Sequence, residues 1–150
     1  KSYNFKNKRA LDRVDFNVPI DNNGNVTDNT RIKMAIPTLE KILNDGGSIV
    51  LMSHLGRPND EPNKEFSLSQ IIPSLESFLE KKIIFCSDCI SDDSFKTTKN
   101  LENGSVVLLE NLRFHKEEKN GDKDFAQKLS NHGDVYVNDQ TYSITHLMYE

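Results

Sequence analysis

Arginine and histidine side chains recur directly after apolar runs of the sequence. The stretch SHLGRP places His54 and Arg57 just after the run SIVLM, and ENLRFH places Arg113 and His115 just after SVVLL. A loop that only reverses the chain is usually built from Gly, Asn and Ser. The guanidinium group of arginine offers paired N–H donors that fit carboxylate and phosphate oxygens. These two loops therefore predict a binding site for an anion.

Polar residues also follow other apolar runs. RVDFNVP carries Asp15 and Asn17, Arg31 opens a stretch with helical spacing, and DVYVN ends at Asn138, which Asp139 follows. Carboxylate and amide groups suit a hydroxyl group or orient a neighbouring guanidinium. Surface loops carry polar residues in any protein, so one such residue alone indicates little. Their recurrence after several runs favours a shared site for a small, multiply anionic, hydroxylated metabolite.

Five short runs rich in β-branched residues alternate with stretches of helical spacing. The runs lie at 9–16, 48–52, 82–86, 105–110 and 134–138. They lack the alternation of apolar and polar residues that marks a half-exposed strand, which is typical of strands buried on both faces. The order predicts an α/β fold of three layers, with a parallel sheet of five or six strands and helices on both faces. Ligands of such sheets bind beyond the carboxyl ends of the strands, where the polar residues above are found.

The helical stretches carry their own start and stop signals. The stretch NTRIKMAIPTLEKILNDGG should end at Gly46–Gly47, SLSQIIPSLESFLEKK can be capped by Ser67, and DKDFAQKLSNHG forms a shorter helix. Pro37 and Pro73 fall inside helical patterns, so each helix should kink or start late there. The pattern of residues 90–100 does not decide between a helix and a loop.

Composition limits the class of protein. The 150 residues suffice for one domain, and 28% charged with 35% apolar residues is typical of a globular protein. A net charge of −4 argues against general affinity for nucleic acid, so an anion site must come from local clustering of basic groups. No apolar run approaches the roughly 20 residues that cross a bilayer, and the first ten residues lack a signal-peptide pattern. We expect a cytoplasmic protein with no membrane partner.

Cys86 and Cys89 form one CxxC pair. A structural zinc site usually needs four ligands, and no second CxxC or pair of histidines follows. A redox pair remains an alternative. The expectation is two reduced thiols without a metal.

Five motifs together resemble the phosphoglycerate kinase family. RVDFNVP, TRIK, LMSHLGRP, SVVLLENLRFHKEE and GDVYVND stand in that family's order across nearly the whole chain. The resemblance covers the family's N-terminal domain, which binds 3-phosphoglycerate, and implies a single Rossmann-like domain over 1–150. The C-terminal nucleotide domain is absent from this sequence, and no Walker A or GxGxxG loop replaces it.

The resemblance implies a role for each matched residue. Asp15, Phe16 and Asn17 correspond to the first substrate loop, and Arg31 to the arginine at the transferring phosphoryl group, the one catalytic residue expected here. The second substrate loop corresponds to 54–57, that is His54, Leu55, Gly56 and Arg57, and Arg113 corresponds to a contact with the substrate phosphate. Arg13 and His146 are further candidates for which the motifs define no contact.

Two positions depart from the family pattern. Asp12 stands where the family has an aliphatic residue, so it should weaken the first strand or lie at a sheet edge. At 140–150 the chain reads QTYSITHLMYE, where the family has a glycine-containing loop ending in HRAH. His146 thus takes the place of a substrate arginine, and Tyr142 that of the glycine. One substrate contact is therefore in question.

The resemblance implies a glycolytic phosphotransferase that moves a phosphoryl group between 1,3-bisphosphoglycerate and ADP. This chain would be the half that binds 3-phosphoglycerate or 1,3-bisphosphoglycerate, inactive alone, monomeric, and partnered by the C-terminal domain that binds Mg-ATP or Mg-ADP. It would hold no metal or cofactor itself. The alternative is a non-catalytic or engineered fragment that folds but binds anions weakly.

Overall fold

The computed structural model describes residues 3–59, 62–138 and 146–149, with the backbone alone described at 119 and 146–149. Six strands form one sheet in the order β3-β4-β2-β1-β5-β6. Their bounds are β1 Arg9–Arg13, β2 Ser48–Met52, β3 Ile84–Cys86, β4 Val106–Leu109, β5 Val135–Asn138 and β6 His146–Tyr149. The first five strands are parallel, as predicted. The sixth pairs antiparallel with β5 in the segment whose structure the sequence did not predict.

Among the described residues, five α-helices connect the strands. Their bounds are α1 Thr30–Asn44, α2 Ile72–Leu79, α3 Asp92–Lys99, α4 Lys116–Lys119 and α5 Lys123–Ser130. Short 3-10 helices lie at Lys64–Phe66, Leu68–Ile71 and Leu112–Phe114. The ambiguous segment 90–100 contains α3, whose N-cap is Ser91. In the part of the chain that the structure describes, no helix is long and apolar enough to span a membrane.

The predicted helix signals at Gly46, Ser67 and Pro73 are confirmed, whereas Pro37 does not delay the start of its helix. Beyond α1, Gly46 adopts φ +93° and its N–H donates to the Leu43 carbonyl, which ends the helix. The Ser67 hydroxyl accepts from the Ser69 N–H, and α2 begins only at Ile72, with Pro73 in its first turn. The helix α1 continues through Pro37 without a break.

Two apolar layers cover the sheet. One layer joins alternate residues of β1, β2, β4 and β5 to α1, α2 and the preceding 3-10 helix. The other joins the opposite strand residues to α5 and to the loops after β3 and β4. Each central strand is therefore buried on both faces, which explains why its sequence does not alternate.

Asp12 lies in the middle of the sheet. It is fully buried in β1, between Leu51 of β2 and Val137 of β5. The expectation of a sheet edge is therefore wrong at this position. The reason is the strand order, because β1 has parallel neighbours on both sides.

Candidate functional site

The candidate site is built where β1, β2 and β4 end. The Val14 N–H donates to the Met52 carbonyl at 3.0 Å, and the Leu112 N–H donates to the Ser53 carbonyl at 3.0 Å. The Ser53 hydroxyl also accepts from the Phe16 N–H at 3.0 Å. These bonds extend the strand pairing by a residue or two and hold the three following loops together, as the sequence predicted.

Asp15, Asn17, Arg31 and Gly56 form one hydrogen-bonded chain. The Arg31 guanidinium donates to Asp15 Oδ1 at 3.3 Å and to the Asn17 carbonyl at 2.6 Å. Asn17 Oδ1 in turn accepts from the Gly56 N–H at 2.9 Å. The first residues of α1 are thus tied to both substrate loops predicted from the sequence. The Arg31 side chain stays 42% exposed, which leaves it accessible to a ligand.

Asn111 anchors the second loop from beneath. Its side chain accepts from the Leu55 N–H at 3.2 Å and donates to the Leu55 carbonyl at 2.8 Å. It also accepts from the Arg113 N–H at 2.9 Å and donates to the Phe66 carbonyl at 2.8 Å. A buried amide with four such bonds is fully satisfied, and it fixes the backbone from which Arg113 extends.

Gly56 is required by the shape of this loop. Its backbone lies in the left-handed region at φ +62°, which glycine adopts without steric cost. A Cβ at this position would overlap the Phe66 ring. In this conformation the Gly56 backbone lies against Phe66, and its N–H bonds to Asn17 Oδ1.

Glu118 bridges two of the predicted arginines. Its carboxylate accepts from Arg113 Nε at 2.8 Å and from an Arg13 terminal nitrogen at 2.7 Å, and its side chain is 11% exposed. Burial alone would raise the pKa of the Glu118 carboxyl. The hydrogen bonds from Arg13 and Arg113 outweigh that effect and hold the pKa below its usual value. The ionised carboxylate therefore orients both guanidinium groups and neutralises part of their charge.

The surroundings of His54 favour the neutral form of its imidazole. Burial lowers the pKa of its imidazole, and the charges of Arg113 and Arg13 lower it further. Its Nδ1 is buried and has no hydrogen-bond partner among the residues that the structure describes. A neutral imidazole can donate through one ring nitrogen and accept through the other.

The remaining sequence candidates differ in how they reach the site. Phe16 and Leu55 are buried in the core, so they can offer a ligand only their backbone. Arg57 is exposed, and no hydrogen bond or ion pair in the described part of the chain ties it to the other members. The His146 side chain, Asp139 and Tyr142 lie outside what the structure describes.

The sequence prediction missed Ser53 as a member of the site. It is a polar residue directly after a buried strand, which is the signal that identified His54. Glu110 supports the same loops, because its carboxylate accepts from the Leu68 N–H and the Asn111 N–H, both at 2.8 Å. His115 was expected near the anion site, but it bonds to Asp88 instead, at 2.9 Å.

Comparisons with known proteins agree on one family. The family model described as phosphoglycerate kinase matches residues 1–148. The phosphoglycerate kinase of Borrelia hermsii is 48% identical over 139 residues, which cover 93% of this chain and 35% of that protein. That of Chlorobium limicola is 47% identical over 135 residues, which cover 90% of this chain and 34% of that protein.

Solved structures give the same result. The phosphoglycerate kinase of Coxiella burnetii superposes with a TM-score of 0.80 at 33% identity, over 92% of this chain and 34% of that one. The enzyme of Pyrococcus horikoshii gives a TM-score of 0.81 at 28% identity, over 92% of this chain and 35% of that one. The chain thus spans about a third of the length of the relatives that it matches.

Proposed function

This chain belongs to the phosphoglycerate kinase family, and we propose that it binds the acceptor substrate in the reaction of that family. In that reaction 1,3-bisphosphoglycerate and ADP give 3-phosphoglycerate and ATP. The observation that carries the proposal is the convergence of Arg31, His54 and Arg113 at the carboxyl ends of parallel strands. The bonds through Asn17, Asn111 and Glu118 hold these groups in place.

The site suits a ligand with two anionic groups and a hydroxyl group. Arg113 and Arg13 form one set of guanidinium donors around Glu118, and Arg31 forms a second set beside Asp15 and Asn17. The imidazole of His54 feels the charges of both Arg113 and Asp15, and its Nδ1 has no hydrogen-bond partner in the described part of the chain. In 3-phosphoglycerate a phosphate and a carboxylate flank one hydroxyl-bearing carbon. Such a molecule can use both sets of donors at once.

The chemistry requires no base from this chain. In the direction of ATP consumption a carboxylate oxygen of 3-phosphoglycerate attacks the terminal phosphorus of ATP. The bond from that phosphorus to the bridging oxygen of ADP breaks, and its electron pair leaves with ADP. The carboxylate is already ionised at pH 7, so no proton has to be removed. Arg31 would hold it in line and offset the charge of the transferred group.

We assign nucleotide binding to a different domain of the enzyme. The sequence contains no Walker A or GxGxxG loop, so we propose that Mg-ATP or Mg-ADP is bound by a C-terminal domain of the same enzyme. We also propose that residues 1–150 form a single substrate domain, that the protein is a monomer, and that it lies in the cytoplasm, as suits a glycolytic enzyme.

The alternative of a weak, non-catalytic anion binder is favoured by one observation: Glu118 already neutralises part of the charge of Arg13 and Arg113.

Titration of 3-phosphoglycerate, followed by amide shifts in NMR, tests the proposal. The N–H groups of Gly56, Asn17 and Arg113 should shift in a saturable way, because they belong to the loops that contact the ligand. Glycerol, which lacks both anionic groups, is the matched control and should shift none of them. Shifts no larger than those caused by sodium chloride at equal ionic strength would contradict the proposal.

A further inference from the structure

Three side chains outside the anion site converge on one small cavity. One ligand atom each of Asp88, Cys89 and His115 lies within 4.8 Å of the other two. The cavity has a volume of about 90 Å³, and Glu110 and Asn111 also line it. Cys89 is buried, whereas Asp88 and His115 are partly exposed, so the cluster can be reached from solvent.

The donor set matches the preferences of zinc. Thiolate sulfur, imidazole nitrogen and carboxylate oxygen are its usual ligands, and three protein ligands with one water make an open tetrahedral site. Metal–ligand bonds of about 2.0–2.3 Å would place neighbouring ligand atoms roughly 3.5 Å apart. Ligand atoms that are now up to 4.8 Å apart would therefore have to approach one another by about an ångström, a shift within the range of side-chain rotation. A water takes about 30 Å³, so the cavity has room for an ion and its water.

We propose that Asp88, Cys89 and His115 bind one Zn²⁺ ion, with water as the fourth ligand. The sequence suggested two metal-free thiols, because a CxxC pair without a second pair lacks ligands. In the folded chain the ligand set is different. Cys86 lies in β3 and is not a member of the cluster, whereas His115, from the loop after β4, lies beside Asp88 and Cys89. Burial raises the pKa of the Cys89 thiol, so the ion has to displace its proton.

Such an ion would brace two loops of the protein. Asp88 and Cys89 follow β3, and His115 directly follows the 3-10 helix Leu112–Phe114, which carries Arg113. The Asp88–His115 bond links these segments already. Metal binding through these two atoms would replace their hydrogen bond with two bonds to the ion and would add Cys89 to the link. The site adjoins the loop that carries Arg113, but none of its three ligands is proposed to bind the substrate, and metal binding is measured directly. Its test is therefore independent of the proposed function.

Titration with Co²⁺ and then Zn²⁺ tests the site on the reduced, metal-stripped 150-residue chain. We expect a thiolate-to-cobalt absorption band that saturates at one equivalent and that Zn²⁺ removes. Cys89→Ser should abolish the band, and His115→Gln or Asp88→Asn should weaken Zn²⁺ binding on the order of tenfold or more.

Cys86→Ser is the matched control, since it removes the other buried thiol of the same pair. It should keep the band and bind Zn²⁺ within about twofold of the unchanged chain. Circular dichroism checks that each variant is folded. The partly exposed His115 provides a second variant if Cys89→Ser unfolds. The proposal is overturned if no saturable band forms, if the band survives in Cys89→Ser, or if His115→Gln and Cys86→Ser bind Zn²⁺ alike.

Discussion

Glu118 is the residue that most changes the view of the anion site. The sequence motifs indicated a cluster of cations, and the structure adds a carboxylate that holds two of them. Opposite charges at 2.7–2.8 Å fix the direction of both guanidinium groups. The same contact lowers the net positive charge that a ligand meets. Glu118 thus orders Arg13 and Arg113, and it should also weaken their attraction for an anionic ligand.

The effect of Glu118 on stability depends on pH. Its pKa is depressed in the folded chain, so the unfolded chain binds more protons over the titration range. Its stabilising contribution is present above the ordinary pKa near 4.3. It is lost as the pH falls through the lower, folded value. Glu118→Gln should destabilise the chain by about 1–2 kcal/mol at pH 7. The difference from the unchanged chain should shrink below pH 4.

Urea denaturation at pH 7 and at pH 3.5 measures both quantities. Glu117→Gln is the matched control, because it removes the neighbouring carboxylate of α4 and should change stability by less than about 0.5 kcal/mol. Two outcomes would contradict the role given to the ion pairs of Glu118. One is an equal loss of unfolding free energy in the two variants at pH 7, and the other is a loss in Glu118→Gln that is the same at both pH values.

Arg113 should account for a large part of substrate affinity. Its backbone N–H bonds to Asn111, a contact that Arg113→Ala retains, so the loop keeps its shape. Charge-assisted hydrogen bonds contribute roughly 1.5–3 kcal/mol each. We therefore expect Arg113→Ala to weaken binding of 3-phosphoglycerate about tenfold or more in calorimetry. Lys99→Ala removes an exposed charge at the end of α3 and should leave the affinity unchanged. Equal affinities for the two variants would exclude Arg113 from the site.

At the scale of elements, much of the fold could be predicted from local signals. The sheet followed from apolar runs without alternation. The C-terminal end of α1 followed from Gly46, and the helical start before α2 followed from Ser67 and Pro73. The helix α3 could not be predicted with confidence, because its buried residues are Ser94 and Thr98 and so leave no apolar stripe. The convergence of the loops followed from the rule for parallel sheets. The ion pairs of Glu118 with Arg13 and Arg113 could not be predicted. The four residues of α4 are too few for a periodic pattern that would show which side chain points toward the arginines.

The strand β1 carries a testable inconsistency between sequence and position. Asp12 is fully buried beside Ala10 and Val14, in the layer that α1 and α2 cover. A buried carboxylate is costly to desolvate, and the family pattern has an aliphatic residue at this position. We expect Asp12→Val to raise the free energy of unfolding by about 1–3 kcal/mol in urea. Asp15→Val, in the partly exposed loop after the same strand, removes the bond to Arg31 and should not stabilise. A loss of stability in Asp12→Val would show that the carboxylate supports the fold.

At the scale of the whole molecule, ligand binding should be visible as stability. A ligand that binds only the folded chain stabilises it by about 2.7 kcal/mol at a hundredfold excess over Kd. For a chain of 150 residues this corresponds to a rise in Tm of about 5–10 °C. We expect this rise with 3-phosphoglycerate and a much smaller one with sulfate at equal ionic strength, because sulfate can engage only one set of donors.

Salt and substitution separate a built site from general anion binding. The rise in Tm should shrink when sodium chloride is increased from about 0.05 to 0.5 M, because the Debye length falls and the arginines are partly exposed. It should nearly vanish in Arg113→Ala and persist in Lys99→Ala, since only the first variant loses a donor of the site. If sulfate raises Tm as much as 3-phosphoglycerate does, the loops bind anions without recognising the substrate, and the weak-binder alternative describes the chain.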